Sequence, residues 1–236
     1  MIQDAVTYPY TGDEWVKRVV IGTVLLFGSV LILPAVPLMG YIYRTIQAGA
    51  RDDPEPPAWE DWGGLSVDGL KLLAGFVVAL VVPMVLWVAM SFVVFGGTML
   101  AASTGSSAGI VAGAGLALLF VFGSFGFLLA VFYVALAAVT NMVLRDSLGA
   151  LFEFGRIGSL ALSGDFFVGV LASMAVSFVL GLVAGLLSLV LVGLLLLFGV
   201  QVSQYYLIGR GAGKALDIPD SGGSESAGSA TASDPY

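Results

Sequence analysis

The sequence predicts an all-α integral membrane protein: a bundle of about five transmembrane helices, with room for a sixth, joined by interfacial amphipathic segments. Two observations predict this. Of the 236 residues, 58% are hydrophobic and only 11% are charged, where soluble domains carry about 25% charged residues. The apolar residues also fall in unbroken runs of about 20 or more, the length that crosses a hydrocarbon core of about 30 Å.

The 32 glycines fit the same class. Glycine weakens a helix in water. In lipid the backbone has no partner but itself, and small residues let helices approach closely.

Residues 1–16 read as a polar N-terminal segment, with Tyr8, Tyr10 and Trp15 suited to the headgroup region. No cleavable leader is evident in it, because the start is acidic rather than basic. Residues 17–216 form a single transmembrane helical domain with spans expected near 19–43, 70–96, 110–139, 166–183 and 187–208. Pro34 and Pro37 should kink the first span, and Pro83 lies inside the second. The link between the second and third runs carries no charge. The last apolar block is too long for one crossing, and its turn is expected near Gly181–Ser188. Residues 217–236 are small, polar and acidic and should be disordered.

Two polar connections separate these runs. In 44–69, Pro54, Pro56 and Pro57 exclude regular structure, and Trp59, Glu60, Asp61 and Trp62 make a pattern of rings toward lipid and acids toward water. In 140–165, Phe152, Glu153 and Phe154 repeat an aromatic-acid-aromatic patch. This second connection reads as an interfacial helix, or as a helix packed on the spans. The two also share a basic-acidic pair, Arg51-Asp52 and Arg145-Asp146, and an aspartate before the next span, Asp68 and Asp165. Each of those last aspartates is placed to cap the helix that follows.

Lys and Arg near span ends set orientation. With five spans, both long connections and the tail share the basic, cytoplasmic side of a plasma-membrane protein. The N-terminus then lies outside, against the sign of Lys17 and Arg18.

Charge and residue type exclude several functions. The net charge is −7, so no basic stripe exists for nucleic acid. Cysteine and histidine are both absent, which removes thiol and imidazole chemistry. The acids around Asp52 to Asp61 read as solvated surface rather than a cation site, compatible with a high-salt cell interior. No catalytic, cofactor-binding or metal-binding residue is assigned, and no cofactor is expected. One polar patch lies inside a span: Gln201, Gln204 and Tyr205, with Gln201 and Tyr205 on one helix face. It suits helix–helix hydrogen bonds or a polar solute site. Gly109/Gly113 and Gly181/Gly185 are small-x-x-x-small pairs that suggest close packing.

The chain resembles the DUF4013 family in several segments: YPYTGDEWVKRVVIGTVLL, GYIYR, WEDWGGLSVDGLKLL, LGALFEFGRIG, SGDFFVG and QVSQYYLIGRGAGKA. The resemblance covers nearly everything but the tail. It implies a multispan membrane protein of a kind met mainly in haloarchaea, and it supplies no active-site residues. Three functional readings follow: a non-enzymatic scaffold or support component of the cell envelope, a small-molecule transporter component, or an interfacial lipid-modifying enzyme. The partners expected are membrane lipids and another membrane protein or a second copy.

Overall fold

The computed structural model describes residues 2–188 and 192–221. Among these there are eight α-helices and no strand: α1 (Ile2–Thr7), α2 (Trp15–Gly28), α3 (Ile32–Ala50), α4 (Trp62–Ser103), α5 (Ser107–Arg145), α6 (Phe154–Ala161), α7 (Gly164–Leu187) and α8 (Val192–Ala215). Three are by themselves long and apolar enough to cross a membrane: α4, α5 and α7. An all-α fold compatible with a membrane location is what the composition predicts.

The expected first span is not one helix. Gly28 ends α2, Leu31 N–H closes a turn onto the Gly28 carbonyl at 2.8 Å, and α3 restarts at Ile32. Pro34 explains the break. A continuous helix would set its ring against the carbonyl four residues earlier, whereas in the first turn of a new helix its missing N–H costs nothing. The region 19–43 is therefore a helical hairpin with an exposed apolar tip at Val30 to Leu33.

That hairpin changes the topology. Trp59 Nε1 donates to the Arg18 carbonyl at 3.0 Å, Tyr8 donates its hydroxyl to Glu55 O at 3.1 Å, and Arg210 pairs with Asp4 at 3.0 Å. The N-terminal segment thus lies at the same pole as the connections and the end of α8, not opposite them. Lys17 and Arg18 stand at that same pole with the other basic residues.

α4 and α5 form a hairpin far longer than expected. At 42 and 39 residues they extend about 63 and 59 Å. α4 runs through the expected uncharged link to Ser103, and only residues 104–106 turn. Ser106 caps α5 by accepting from Gly109 N–H at 3.0 Å. Trp87 Nε1 donates to Ser124 Oγ at 3.1 Å and closes the hairpin midway. The most apolar stretch of each helix has no buried residue, against 28% in α7, so the hairpin stands out from the bundle. The packed core lies nearer the pole, around Tyr43, Leu72, Val139, Met142, Phe166 and Ile208.

α7 continues through Gly181 and Gly185 to Leu187, so those glycines do not break it, and Ser188 ends it. The remainder of the expected turn, 189–191, lies outside the described residues, and α8 begins at Val192 rather than near 187. Gly181 and Gly185 face open space. Gly109 and Gly113, the other expected pair, do pack closely, against Ala101 and Thr98 of α4, and further close glycine contacts join α3 and α8. Gly49 abuts the Tyr206 backbone, Gly209 abuts Ile46, and Gly213 abuts Ala50, so α3 and α8 meet backbone to backbone. The tail starts against the bundle, with Ser221 N–H donating to Arg51 O at 2.8 Å. Residues 222–236 of the expected tail lie outside the described residues.

Candidate functional site

The polar residues of the pole are organised by helix ends. α3 and α5 each stop at an aspartate in left-handed conformation, Asp52 at φ 52° and Asp146 at φ 48°. Aspartate tolerates this conformation better than most residues. The turn points each carboxylate back across the bundle. Asp146 accepts from Tyr43 Oη at 2.6 Å and Lys71 Nζ at 2.7 Å. Asp52 accepts from Tyr206 Oη at 2.7 Å and Arg210 Nη2 at 2.7 Å. Each aspartate holds one hydroxyl and one cation, and so Asp146 ties α5 to α3 and α4 while Asp52 ties the end of α3 to α8. The Lys71 ammonium and the Tyr43 hydroxyl hold the Asp146 carboxyl below its usual range.

A third node sits at the start of α4. Asp61, not Asp68, caps this helix by accepting from Gly64 N–H at 2.9 Å. Arg44 bridges Asp61 at 3.0 Å and Asp68 at 2.8 Å. The Gly64 N–H, then the Arg44 guanidinium, lower the Asp61 pKa. Likewise Ser163, not Asp165, caps α7, accepting from Phe166 N–H at 3.1 Å. Both expected aspartate caps are displaced, because the helices start earlier than the apolar runs do.

A fourth node joins the second connection to α5. Asn141, fully buried, donates to Ala150 O at 2.9 Å and to Glu153 Oε2 at 3.3 Å, and accepts from Arg156 Nε at 3.1 Å. Arg145 pairs loosely with Glu153 at 3.7 Å. Sequence reasoning did not single out Asn141. A lone amide in the apolar stretch AAVTNMVL was the available signal.

The sequence-predicted patches are placed as follows. Trp59 is buried inside the protein rather than laid in lipid. It stacks on Tyr41 with ring centroids 4.3 Å apart and lies near Phe198. Trp62 and Glu60 remain exposed, and Trp62 covers Trp59 at 5.8 Å. Phe152 and Phe154 are exposed, with Glu153 between them in the Asn141 node. The acids from Asp52 to Asp61 do not converge; Asp52 and Asp61 serve separate nodes. Among the described residues no group of three or more acids is close enough to hold a metal ion. Gln201, Gln204 and Tyr205 are half-buried on α8. Gln201 Oε1 is buried without a hydrogen-bond partner among the described residues, and the Tyr205 ring packs on the core.

Cavities of three kinds are found among the described residues, and none of these has Gln201, Gln204 or Tyr205 in its wall. A polar one of about 490 Å³ lies at the pole between the ends of α3 and α8 and the start of α7. Asp52, Asp165, Asp217 and Asp220 face Arg210 and Lys214 in it. This juxtaposition was missed in sequence, since it joins residues from three distant segments. An apolar one of about 400 Å³ lies between α4, α5 and the second connection. A smaller apolar one of about 160 Å³ includes Tyr10, Leu180 and Gly199.

Residues 24–200 match the family described as protein of unknown function (DUF4013). No curated protein and no solved structure matches the chain.

Proposed function

The chain belongs to the DUF4013 family, and we propose that it is a non-enzymatic, multi-pass protein of the plasma membrane that supports the cell envelope through its polar pole. One observation carries the reading. Seven acids and bases of the pole hold helix ends together: Asp146 with Lys71, also taking the Tyr43 hydroxyl, Asp52 with Arg210, also taking the Tyr206 hydroxyl, and Asp61 and Asp68 with Arg44. Groups committed in this way are scaffolding, not a poised acid-base pair.

The pole is the cytoplasmic face in this reading. Arg18, Arg44, Arg51, Lys71, Arg145, Arg156, Arg210 and Lys214 gather toward it, which supports that orientation by the positive-inside rule. Partner proteins would meet the polar cavity and the exposed Glu60 and Trp62 from the cytoplasm. The hairpin of α4 and α5, unburied along its apolar length, would be covered by lipid. Transport would need a polar path through the spans, and the two cavities within the apolar region are lined mainly by carbon.

The test is reconstitution of the full chain in vesicles loaded with mixed small solutes, followed by lipid analysis. The expected result is solute release no faster than from empty vesicles and an unaltered lipid profile. Selective release of one solute class, or a new lipid product abolished by Asp165→Asn, would overturn the reading.

A further inference from the structure

The apolar cavity on the α4–α5 hairpin has features that its place in the fold does not require. Its walls include Val82 and Pro83 of α4, Phe127 and Val131 of α5, and Phe152 and Phe154 of the second connection. On α5 the lining runs from Phe127 to Ala138, about 16 Å of helix. That is one leaflet's share of a hydrocarbon core about 30 Å thick. A volume of about 400 Å³ is within the range of pockets that hold small ligands, about 300–1,000 Å³. Both main walls are helices apolar enough to cross a membrane, so an occupant enters from hydrocarbon rather than from water.

The cavity is held open. α6 is tied to α5 at two heights, by Arg156 on Asn141 at 3.1 Å and by the Tyr133 hydroxyl on Ala161 O at 2.8 Å. Ala130, Ala135 and Ala138 supply a wall too short to fill the space behind it.

Charged residues adjoin the lining in the chain. Along the chain Arg156 falls between the lining residues Phe154 and Ile157, and only its Nε has a protein partner among the described residues. Its two terminal nitrogens carry free donors. Arg145, half exposed, reaches Glu153 only at 3.7 Å. Two arginines and one glutamate, Glu153, thus stand near the polar end of an apolar slot flanked by exposed aromatic rings, a net positive arrangement that suits a phosphate above a hydrocarbon chain.

We propose that this groove holds one chain of an anionic membrane lipid, with its headgroup phosphate on Arg156 and Arg145. The inference rests on the bilayer placement proposed above and names the lipid class that the scaffold retains. The phosphate distinguishes this occupant from a second copy of the chain, which would bring no anion to the rim.

The experiment uses the full chain, extracted from vesicles of equal phosphatidylglycerol and phosphatidylcholine and examined by native mass spectrometry for retained lipid. Wild type should keep one lipid per chain and prefer phosphatidylglycerol by about tenfold or more, the scale of charge-assisted hydrogen bonds. Ala130→Trp fills the groove at an exposed position and should lose the retained lipid while melting like wild type. The double variant Arg145→Gln/Arg156→Gln should keep a lipid but lose the headgroup preference. No retained lipid on folded wild type, equal retention by Ala130→Trp, or a lipid-free dimer that Ala130→Trp dissociates would each overturn the proposal. Solute release or lipid turnover in the same vesicles would instead count against the scaffold reading, so the two failures are distinguishable.

Discussion

Asp52 and Asp146 end two different helices in the same left-handed conformation, and each collects one tyrosine hydroxyl and one cationic head. The partners come from far along the chain: Tyr206 is 154 residues from Asp52, and Tyr43 is 103 from Asp146. These two carboxylates therefore fix the relative height of α3, α4, α5 and α8.

The first prediction separates the two. Asn keeps the left-handed tolerance and removes the charge. Asp52 is 31% exposed and Asp146 is 60% exposed. Asp52→Asn should cost about 1–2 kcal/mol, and Asp146→Asn about 0.5–1 kcal/mol after solvent screening. Thermal unfolding in detergent checks the order, and an equal or reversed order would count against the node description.

The second concerns acid. The Asp146 and Asp61 carboxyls are held below their usual range. A carboxyl whose folded pKa is depressed favours the folded state above its unfolded value, about 3.9. That contribution fades as pH falls through the folded value. The melting temperature should drop on going from about pH 5 to below about 4, and less steeply in Asp61→Asn/Asp146→Asn. An unchanged acid limb in the double variant would show that other carboxyls control it.

A third uses the glycines. Gly209 lies against the Ile46 backbone and has no room for a side chain, whereas Gly181 and Gly185 face open space. Gly209→Ala should separate α3 from α8 and lower the melting temperature markedly. Gly181→Ala and Gly185→Ala should be neutral or stabilise by up to about 1 kcal/mol, through helix propensity. Equal damage at Gly181 would mean that its face packs against something.

The fourth concerns the two tryptophans. Trp59→Ala opens a buried stack and should cost about 3–5 kcal/mol, while Trp62→Ala should cost far less because that ring is 45% exposed. In variants that keep only Trp59 or only Trp62 of the four tryptophans, acrylamide should quench Trp62 and spare Trp59.

Several of these features could be read in the sequence, and others could not. The long apolar runs of α4, α5 and α7 announce themselves, because lipid demands length and composition together. The split of 19–43 turned on whether Pro34 kinks one helix or begins another, and local sequence allows both. The polar neighbours Glu60 and Asp61 give Trp59 the look of a lipid anchor in sequence, yet Tyr41, 18 residues earlier, buries it. The recurring Arg51-Asp52 and Arg145-Asp146 pairs were visible, but their tyrosine partners were not, since nothing local links Asp52 to Tyr206. The polar cavity was hidden for the same reason. The match to residues 24–200 supports the family and names no activity.

The most direct measurement is single-cysteine labelling in sealed vesicles, which the absence of native cysteine makes clean. Exposed positions would be Gln3 in the N-terminal segment, Glu60 and Ser147 in the two connections, and Ser103 near the tip of the long hairpin. A single polar pole requires that Gln3, Glu60 and Ser147 react from one face and Ser103 from the other. Labelling of Gln3 from the face opposite Glu60 would contradict the account, because 19–43 would then cross the membrane and the N-terminal segment could not reach Arg210.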